Sequence, residues 1–406
     1  MAIYQNQDLS INRIFVSNDL TQLITDLAEL KHCALNPLLY YSSTGFPVVD
    51  RNNMNKGSVF KDYFIPTGAW KIQKNNDQIN LIGVEKTLSF TQYVDLIFEN
   101  IKSQIQNIYK DHKTVTLFYS GGIDSMVVLS YIISLGLLSR TRLLHYQNTP
   151  TSQQEKYLIT QLLERFSNQV QAVDRFEVTV KDVADIFNRG SLSDLLCYSS
   201  KTIFSKINQQ AIITGHHGNQ ILLHKDVFVD EILLSRPDEW NKVGKQKLYT
   251  DINFRYDPTR PKVKIDDCYM LIKPWENLCG INQNVFFNVL GSSTTFEYLR
   301  KLDFSTVDVL SILDAQVARE IMNRNTDDLL TEFIETEDTT MGDSITPFQV
   351  PLDFLDKSIL QIPTDLHHDA NGLEYIQTQI DRAYNQGYIY INDLVTIKTL
   401  NHIGQL

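Results

Sequence analysis

The chain has 406 residues, 43% of them hydrophobic, enough for roughly two to three domains of about 100–200 residues with a real core. Its 37 Lys and Arg against 48 Asp and Glu leave a net charge of −11, which disfavours nucleic acid as a partner because such binding rests on neutralising phosphates. Apolar runs such as Met126-Val127-Val128-Leu129 fall well short of the about 20 residues that span a bilayer, and the start Met1-Ala2-Ile3-Tyr4 has no basic, apolar leader pattern, so a cytoplasmic protein without a membrane segment is expected.

In chain order, the first 85 or so residues are the least regular, with turn-forming clusters such as Ser42-Ser43-Thr44-Gly45 between short apolar segments. They read as a small α+β appendage. Leu20, Leu23, Ile24, Leu27 and Leu30 fall at helical spacing behind an Asn18-Asp19 cap and predict a helix. Trp70-Lys71-Ile72-Gln73 and Ile79-Asn80-Leu81-Ile82 flank Asn75-Asn76-Asp77 as a hairpin would. From Ser89 a long amphipathic helix follows, with Phe90, Tyr93, Val94, Ile97, Ile101, Ile105 and Ile108 on one face.

Thr114 to Tyr119 then reads as a strand, Ser125 to Leu137 as an apolar helix, and Ser120-Gly121-Gly122-Ile123-Asp124 as the turn between them. The alternation continues with strands at Arg142–Tyr146, Arg175–Val180 and Ala211–Thr214 and helices over Ser152–Phe166 and Leu192–Ile207. Strand, glycine turn and helix in repetition predict a doubly wound parallel sheet of the α/β class. Beyond about Gln220 the chain is expected to be mostly helical, with an irregular basic loop at Arg255 to Lys262. No internal repeat is present.

The turn Ser120-Gly121-Gly122-Ile123-Asp124-Ser125 carries the chemistry. Two glycines let backbone approach a ligand, and amides at a helix start favour an anion. Ser120 and Ser125 add hydroxyls for phosphate oxygens, whereas Asp124 would repel phosphate unless Mg2+ bridges them. A magnesium-bound nucleotide phosphate chain satisfies all three. The alternative is a plain tight turn with a helix cap. Neither a Walker A loop, which needs a Lys and longer spacing, nor a Gly-x-Gly-x-x-Gly fingerprint is present.

The Ser-Gly-Gly-x-Asp-Ser pattern resembles the PP-loop ATP-pyrophosphatase superfamily, in which the loop after the first strand holds the pyrophosphate portion of ATP. Ala211-Ile212-Ile213-Thr214-Gly215-His216-His217-Gly218-Asn219-Gln220 is similar to the second loop of asparagine synthetase and its β-lactam-forming and lasso-peptide-cyclising relatives. The resemblance implies an adenine nucleotide α-hydrolase-like fold and an ATP-dependent, AMP-forming ligase with ATP and Mg2+ as cofactors, the alternatives being a PP-loop nucleobase- or tRNA-modifying enzyme and a catalytically weakened ATP-binding protein. The substrate would be a small molecule or peptide bearing a carboxylate, and a homodimer is compatible with it.

By the same resemblance, Tyr119, Ser120, Gly121, Gly122, Asp124, Ser125, Tyr146 and Gly215 would hold the nucleotide, and Asp124 and Asn219 the metal. Asn219 departs from the family, which has an Asp there; a neutral amide adds an oxygen but no charge. Lys398 is the positional candidate for the late lysine that stabilises developing charge, with Lys357 as the alternative. Residues 1–87 would be the remnant of a glutaminase-type domain and 88–406 the synthetase domain. Position 2 is Ala2 where glutamine-hydrolysing members have a Cys nucleophile, so the nitrogen would come from ammonia or a substrate amine.

Other features read as ordinary. His216-His217 lacks a third metal ligand at suitable spacing, Glu155 suits a helix start by its charge alone, and Trp275 with Phe286-Phe287 reads as core. Cys33, Cys197, Cys268 and Cys279 lie too far apart for a zinc motif and read as buried thiols.

Overall fold

The computed structural model describes residues 2–4, 14–17, 19–25, 29, 39–41, 47–49, 62–64, 70–76, 78–83, 85–119, 121–147, 160, 164–177, 179–189, 211–215, 218–223, 286–308, 315–326, 330, 349–362, 370–390, 394, 397 and 401. The first eight strands are short: β1 (Ala2–Tyr4), β2 (Phe15–Ser17), β3 (Leu23–Ile24), β4 (Leu39–Tyr41), β5 (Pro47–Val49), β6 (Tyr63–Phe64), β7 (Trp70–Asn75) and β8 (Gln78–Gly83). They pair antiparallel as β1–β7–β8, β3–β2–β6 and β4–β5. The expected hairpin is β7–β8: Asn75 faces Gln78, and Asn76 takes a left-handed φ of 47°, which Asn tolerates better than most residues. Its Ile72 and Ile79 bury with Val16.

In the described first part of the helix expected over Leu20 to Leu30, residues 20–25, the chain forms the β2–β3 hairpin instead, and residues 26–28 and 30 lie outside the described residues. The Ser17 hydroxyl donates to the Asp19 carboxylate at 2.5 Å and accepts the amides of Thr21 and Gln22 at 3.2 and 2.8 Å. Such side-chain bonds compete with the helical ladder. They hold Leu20 at φ 60°, and Val16 pairs with Leu23 beyond the turn.

Helix α1 (Phe90–Asp111) starts at a capping box, the Ser89 amide donating to Gln92 Oε1 at 3.0 Å and the Gln92 amide to Ser89 Oγ at 3.4 Å. Tyr93, Val94, Ile97, Ile101, Ile105 and Ile108 are buried, as their spacing requires. At the other end Arg140 donates to the carbonyl of Tyr109 in the last turn and to those of His112 and Lys113 just beyond it, the last two at 2.7 and 3.1 Å, which caps this end of the helix.

The chain then builds β9 (Val115–Phe118), α2 (Ile123–Ser134), β10 (Thr141–Gln147), β11 (Ala172–Glu177), α3 (Val180–Arg189), β12 (Ala211–Thr214), α4 (Gly218–Ile221) and β13 (Phe286–Asn288). The strands form one parallel five-stranded sheet in the order β11–β10–β9–β12–β13. The winding reverses between β9 and β12, and doubly wound sheets bind ligands at the carboxyl end of such a switch point. Every residue of β9 and β12 is buried, and α2 is apolar and buried nearly all round, as a helix enclosed by other elements must be. Gly136, at φ 67°, closes α2 in a Schellman turn, with Leu137 N donating to Ile132 O at 2.9 Å.

Strand β11 lies three residues earlier than the sequence pattern placed it. Thr179 and Asp182 start α3: the Thr179 amide and hydroxyl donate to the Asp182 carboxylate at 2.9 and 2.7 Å, so Val180 is already helical. Beyond Gln220 the described residues are mostly helical, as expected, and the short strand β13 is an addition that the sequence pattern did not show. The helices expected over 152–166 and 192–207 lie largely or wholly outside the described residues. Helices α5 (Ser293–Lys301) and α6 (Gln316–Thr326) follow, α6 packing along α2, and then β14 (Gln349–Pro351), α7 (Ala370–Gln386) and β15 (Tyr388–Tyr390). Among the described residues no helix is long and apolar enough to cross a membrane.

Candidate active site

Buried β9 delivers Tyr119 to the end of the sheet, where the Tyr119 amide donates to Leu144 O at 2.9 Å. The Tyr119 carbonyl can only accept, so His145 Nδ1, 2.9 Å away, carries the proton between them. These two bonds tie the exit of β9 to β10. The Tyr119 ring is 1% exposed and belongs to the core, which leaves its main chain as the part near a ligand.

The turn itself depends on glycine. Gly121 has φ 89°, a conformation strained for any side chain, and Gly122 at φ −76° and ψ 161° starts α2 without a side-chain cap. Ser125 is 4% exposed, and its hydroxyl donates to Gly122 O at 2.8 Å, bracing the turn from inside. A phosphate would have to draw that hydroxyl away from the carbonyl. The start of α2, with the positive end of its dipole, thus lies at the carboxyl end of the central strand.

The second loop meets the first here. A methyl group on Gly215 would stand 2.8 Å from the Asp124 carbonyl oxygen and 3.1 Å from the Ser125 nitrogen, so the Gly215 backbone lies directly against the first turn of α2. A methyl on Gly218 would stand 2.1 Å from Asp124 Cγ and 2.2 and 2.6 Å from its two oxygens. The Asp124 carboxylate therefore lies over the bare Cα of Gly218, the first residue of α4.

Of the residues singled out from sequence, the structure brings Gly121, Gly122, Asp124, Ser125 and Gly215 together. Asn219 follows Gly218 in α4, and Tyr146 lies in β10 opposite Phe176; their side chains are outside the described set. Ser120, Lys398, Glu155, His216, His217, Trp275 and the four cysteines also lie outside it. Lys357 is exposed in a short 3-10 turn, Lys357–Leu360. Phe287 is half-buried against the core, its ring 5.5 Å from that of His112, in keeping with a packing role.

Gly218 is the residue sequence reasoning left without a role. Its signal was the second glycine of Gly215-His216-His217-Gly218, but the need for a bare Cα there comes from Asp124, distant in sequence. Among the described residues no three His, Cys, Asp or Glu gather as a metal site. One carboxylate nevertheless suits Mg2+, which takes one or two protein carboxylates and fills its remaining positions with phosphate oxygens and water.

No family model and no curated protein matches the chain. Among solved structures it is similar to the NH3-dependent NAD synthetase of Campylobacter jejuni subsp. jejuni NCTC 11168, in complex with the nitrate ion, at 15% identity over 61% of this chain and 97% of that one, with a TM-score of 0.24. It is also similar to the glutamine-dependent NAD+ synthetase of Acinetobacter baumannii, in complex with ADP, at 14% identity, 69% and 49% coverage and a TM-score of 0.25. The chain spans about half the length of the second. At such scores neither likeness carries an activity over to this chain.

Proposed function

We propose that the chain is an ATP-dependent, AMP-forming carbon–nitrogen ligase of the asparagine-synthetase type within the PP-loop superfamily, with an adenine nucleotide α-hydrolase-like sheet. The observation that supports this most is the meeting of the two loops, with the Asp124 carboxylate over Gly218 at the start of α2. A triphosphate seated on the Gly121–Gly122 turn would face the α2 dipole, and Asp124 would reach it through Mg2+, which neutralises phosphate charge. The substrate carboxylate then attacks the α-phosphorus and pyrophosphate leaves; ammonia or a substrate amine next attacks the acyl carbon and AMP leaves.

In this proposal Asp124 and Asn219 hold the metal, and Lys398 supplies positive charge to the transition states. Residues 1–87 are a glutaminase-type remnant and 88–406 the synthetase domain. The test is pyrophosphate release from Mg-ATP across a panel of carboxylates and amines. Release that depends on one carboxylate and is lost in Asp124→Asn supports the proposal; no release with any of them, together with unchanged Mg-ATP affinity in that variant, sinks it.

A second proposal rests on Asn219. With a neutral amide where the resembling enzymes have Asp, the chain would be an ATP-binding protein of weakened turnover. Binding of Mg-ATP without pyrophosphate release, unaltered in Asn219→Asp, distinguishes it.

A further inference from the structure

Two side chains at the carboxyl end of β12 and β13 have buried hydrogen-bonding atoms that no described residue satisfies. Thr214 and Asn288 are register partners on these adjacent parallel strands, so their side chains leave the same face of the sheet side by side. Thr214 is 1% exposed, and its Oγ1 is buried with no hydrogen-bond partner among the described residues. Asn288 turns its Oδ1 to accept the Gly291 amide at 3.1 Å, which fixes the carboxamide and leaves Nδ2 as the other arm; that atom is buried and has no partner among the described residues either. Buried polar atoms without partners are rare because each forfeits its hydration, so two on neighbouring strands call for a common partner.

Both atoms can donate, one from an amide N–H and one from a hydroxyl, so the group that satisfies both is an oxygen acceptor with two lone-pair directions. Thr214 immediately precedes Gly215, whose backbone lies against Asp124, and β13 stands two strands from the phosphate turn on β9, roughly 10 Å away at the usual strand spacing. That separation is too large for the phosphate turn itself but suits a second ligand group bound beside it.

We infer that Thr214 and Asn288 form a subsite for a carboxylate or amide carbonyl of the acyl substrate, with Asn288 setting specificity for an acceptor there. The identity of the ligand, though not the existence of the subsite, rests on the ligase proposal. Two substitutions in the full chain test it. Thr214→Val removes the hydroxyl at nearly constant shape, and Asn288→Asp keeps an acceptor for the Gly291 amide while replacing the donor by an oxygen. The ligand-free Thr214→Val protein should melt at the same temperature as the parent or higher, because a buried hydroxyl with no partner among the described residues is lost. Asn288→Asp should raise the KM for the carboxylate at least tenfold in pyrophosphate release and leave Mg-ATP affinity within twofold.

Melting of Thr214→Val several degrees below the parent overturns the subsite, since the hydroxyl then serves the fold. An unchanged carboxylate KM in Asn288→Asp also overturns it, as does a tenfold loss of Mg-ATP affinity with KM unchanged, which would give the acceptor to the nucleotide. If the parent protein neither binds Mg-ATP nor releases pyrophosphate, the ligase proposal falls by itself. The subsite is then decided by the melting comparison and by calorimetric titration with aspartate and succinate, where binding lost in Asn288→Asp supports it and no binding to the parent overturns it.

Discussion

The loop after β9 and the loop after β12 leave fully buried neighbouring strands at the same end of the sheet, yet they use glycine for opposite reasons. In the first, Gly121 provides a left-handed φ of 89° and Ser125 braces the turn, so the loop's shape comes from its own residues. In the second, Gly215 and Gly218 are not among the glycines of positive φ; they are bare because Asp124 and the first turn of α2 occupy the space a side chain would need. The first loop is followed by the twelve-residue α2, the second by the four-residue α4. One loop supplies conformation and charge, the other supplies room for that charge.

The strongest way to break this division is to remove the charge. Asp124→Asn keeps the shape over Gly218 and deletes the carboxylate, and pyrophosphate release should fall by roughly 100-fold or more, as for loss of a preorganised electrostatic group, with the melting temperature little changed. Next in size is Gly218→Ala. Its methyl would displace the Asp124 carboxylate, a side-chain end that can swing aside, so the protein should fold while release falls on the order of 10-fold, less than on removing the charge because the carboxylate is shifted rather than lost. Gly215→Ala differs, because its methyl meets backbone; it should cost about 1–3 kcal/mol of stability in chemical denaturation, the usual size of an overpacking penalty. Equal effects from the two alanines would contradict the division of roles.

How much of this could be read from the residues follows the range of the forces involved. The α1 stripe, the β7–β8 hairpin and the β9–turn–α2 unit were legible because each is specified within about 20 residues by period, turn residue and cap. Leu20 to Leu30 had the helical period too, but Ser17 and Asp19 took the local amides first. Strand β13 has three residues and no alternation long enough to read; its pairing with β12 defines it. Gly218 had a visible glycine and an invisible reason, since the reason is a tertiary contact. The proposed lysine, Lys398, lies outside the described residues and gains nothing from the geometry.

A smaller effect sharpens the comparison from the second loop. Asn219 follows the glycine on which Asp124 rests, and Asn219→Asp would place a second carboxylate in the loop that otherwise supplies only room. If Mg2+ is shared by the two loops, release at limiting Mg2+ should rise several-fold, since an added carboxylate strengthens a hard-cation site. A fall would mean that the second carboxylate repels Asp124, and that the loop is built to carry no charge.

The smallest expected effect on activity comes from the opposite end of the same sheet. Tyr109 of α1 meets Thr141, the first residue of β10, at 2.6 Å. Thr141 Oγ1 also lies 2.8 Å from Leu137 O, which can only accept, so the threonine hydroxyl donates there and Tyr109 donates to the threonine. Burial pushes the Tyr109 hydroxyl up to about 12, against about 10 for an exposed tyrosine. A raised value means that the unfolded chain loses this proton first: the contribution to stability is intact below pH 10 and fades as pH rises from 10 towards 12. Tyr109→Phe should therefore lower stability by about 1 kcal/mol at neutral pH and flatten the alkaline decline above pH 10, both measured by denaturant titration. Pyrophosphate release should stay within twofold of the parent, because the loops are fixed at the carboxyl end by Gly121, Asp124 and Gly218, and a larger change would mean that the sheet transmits strain from one end to the other.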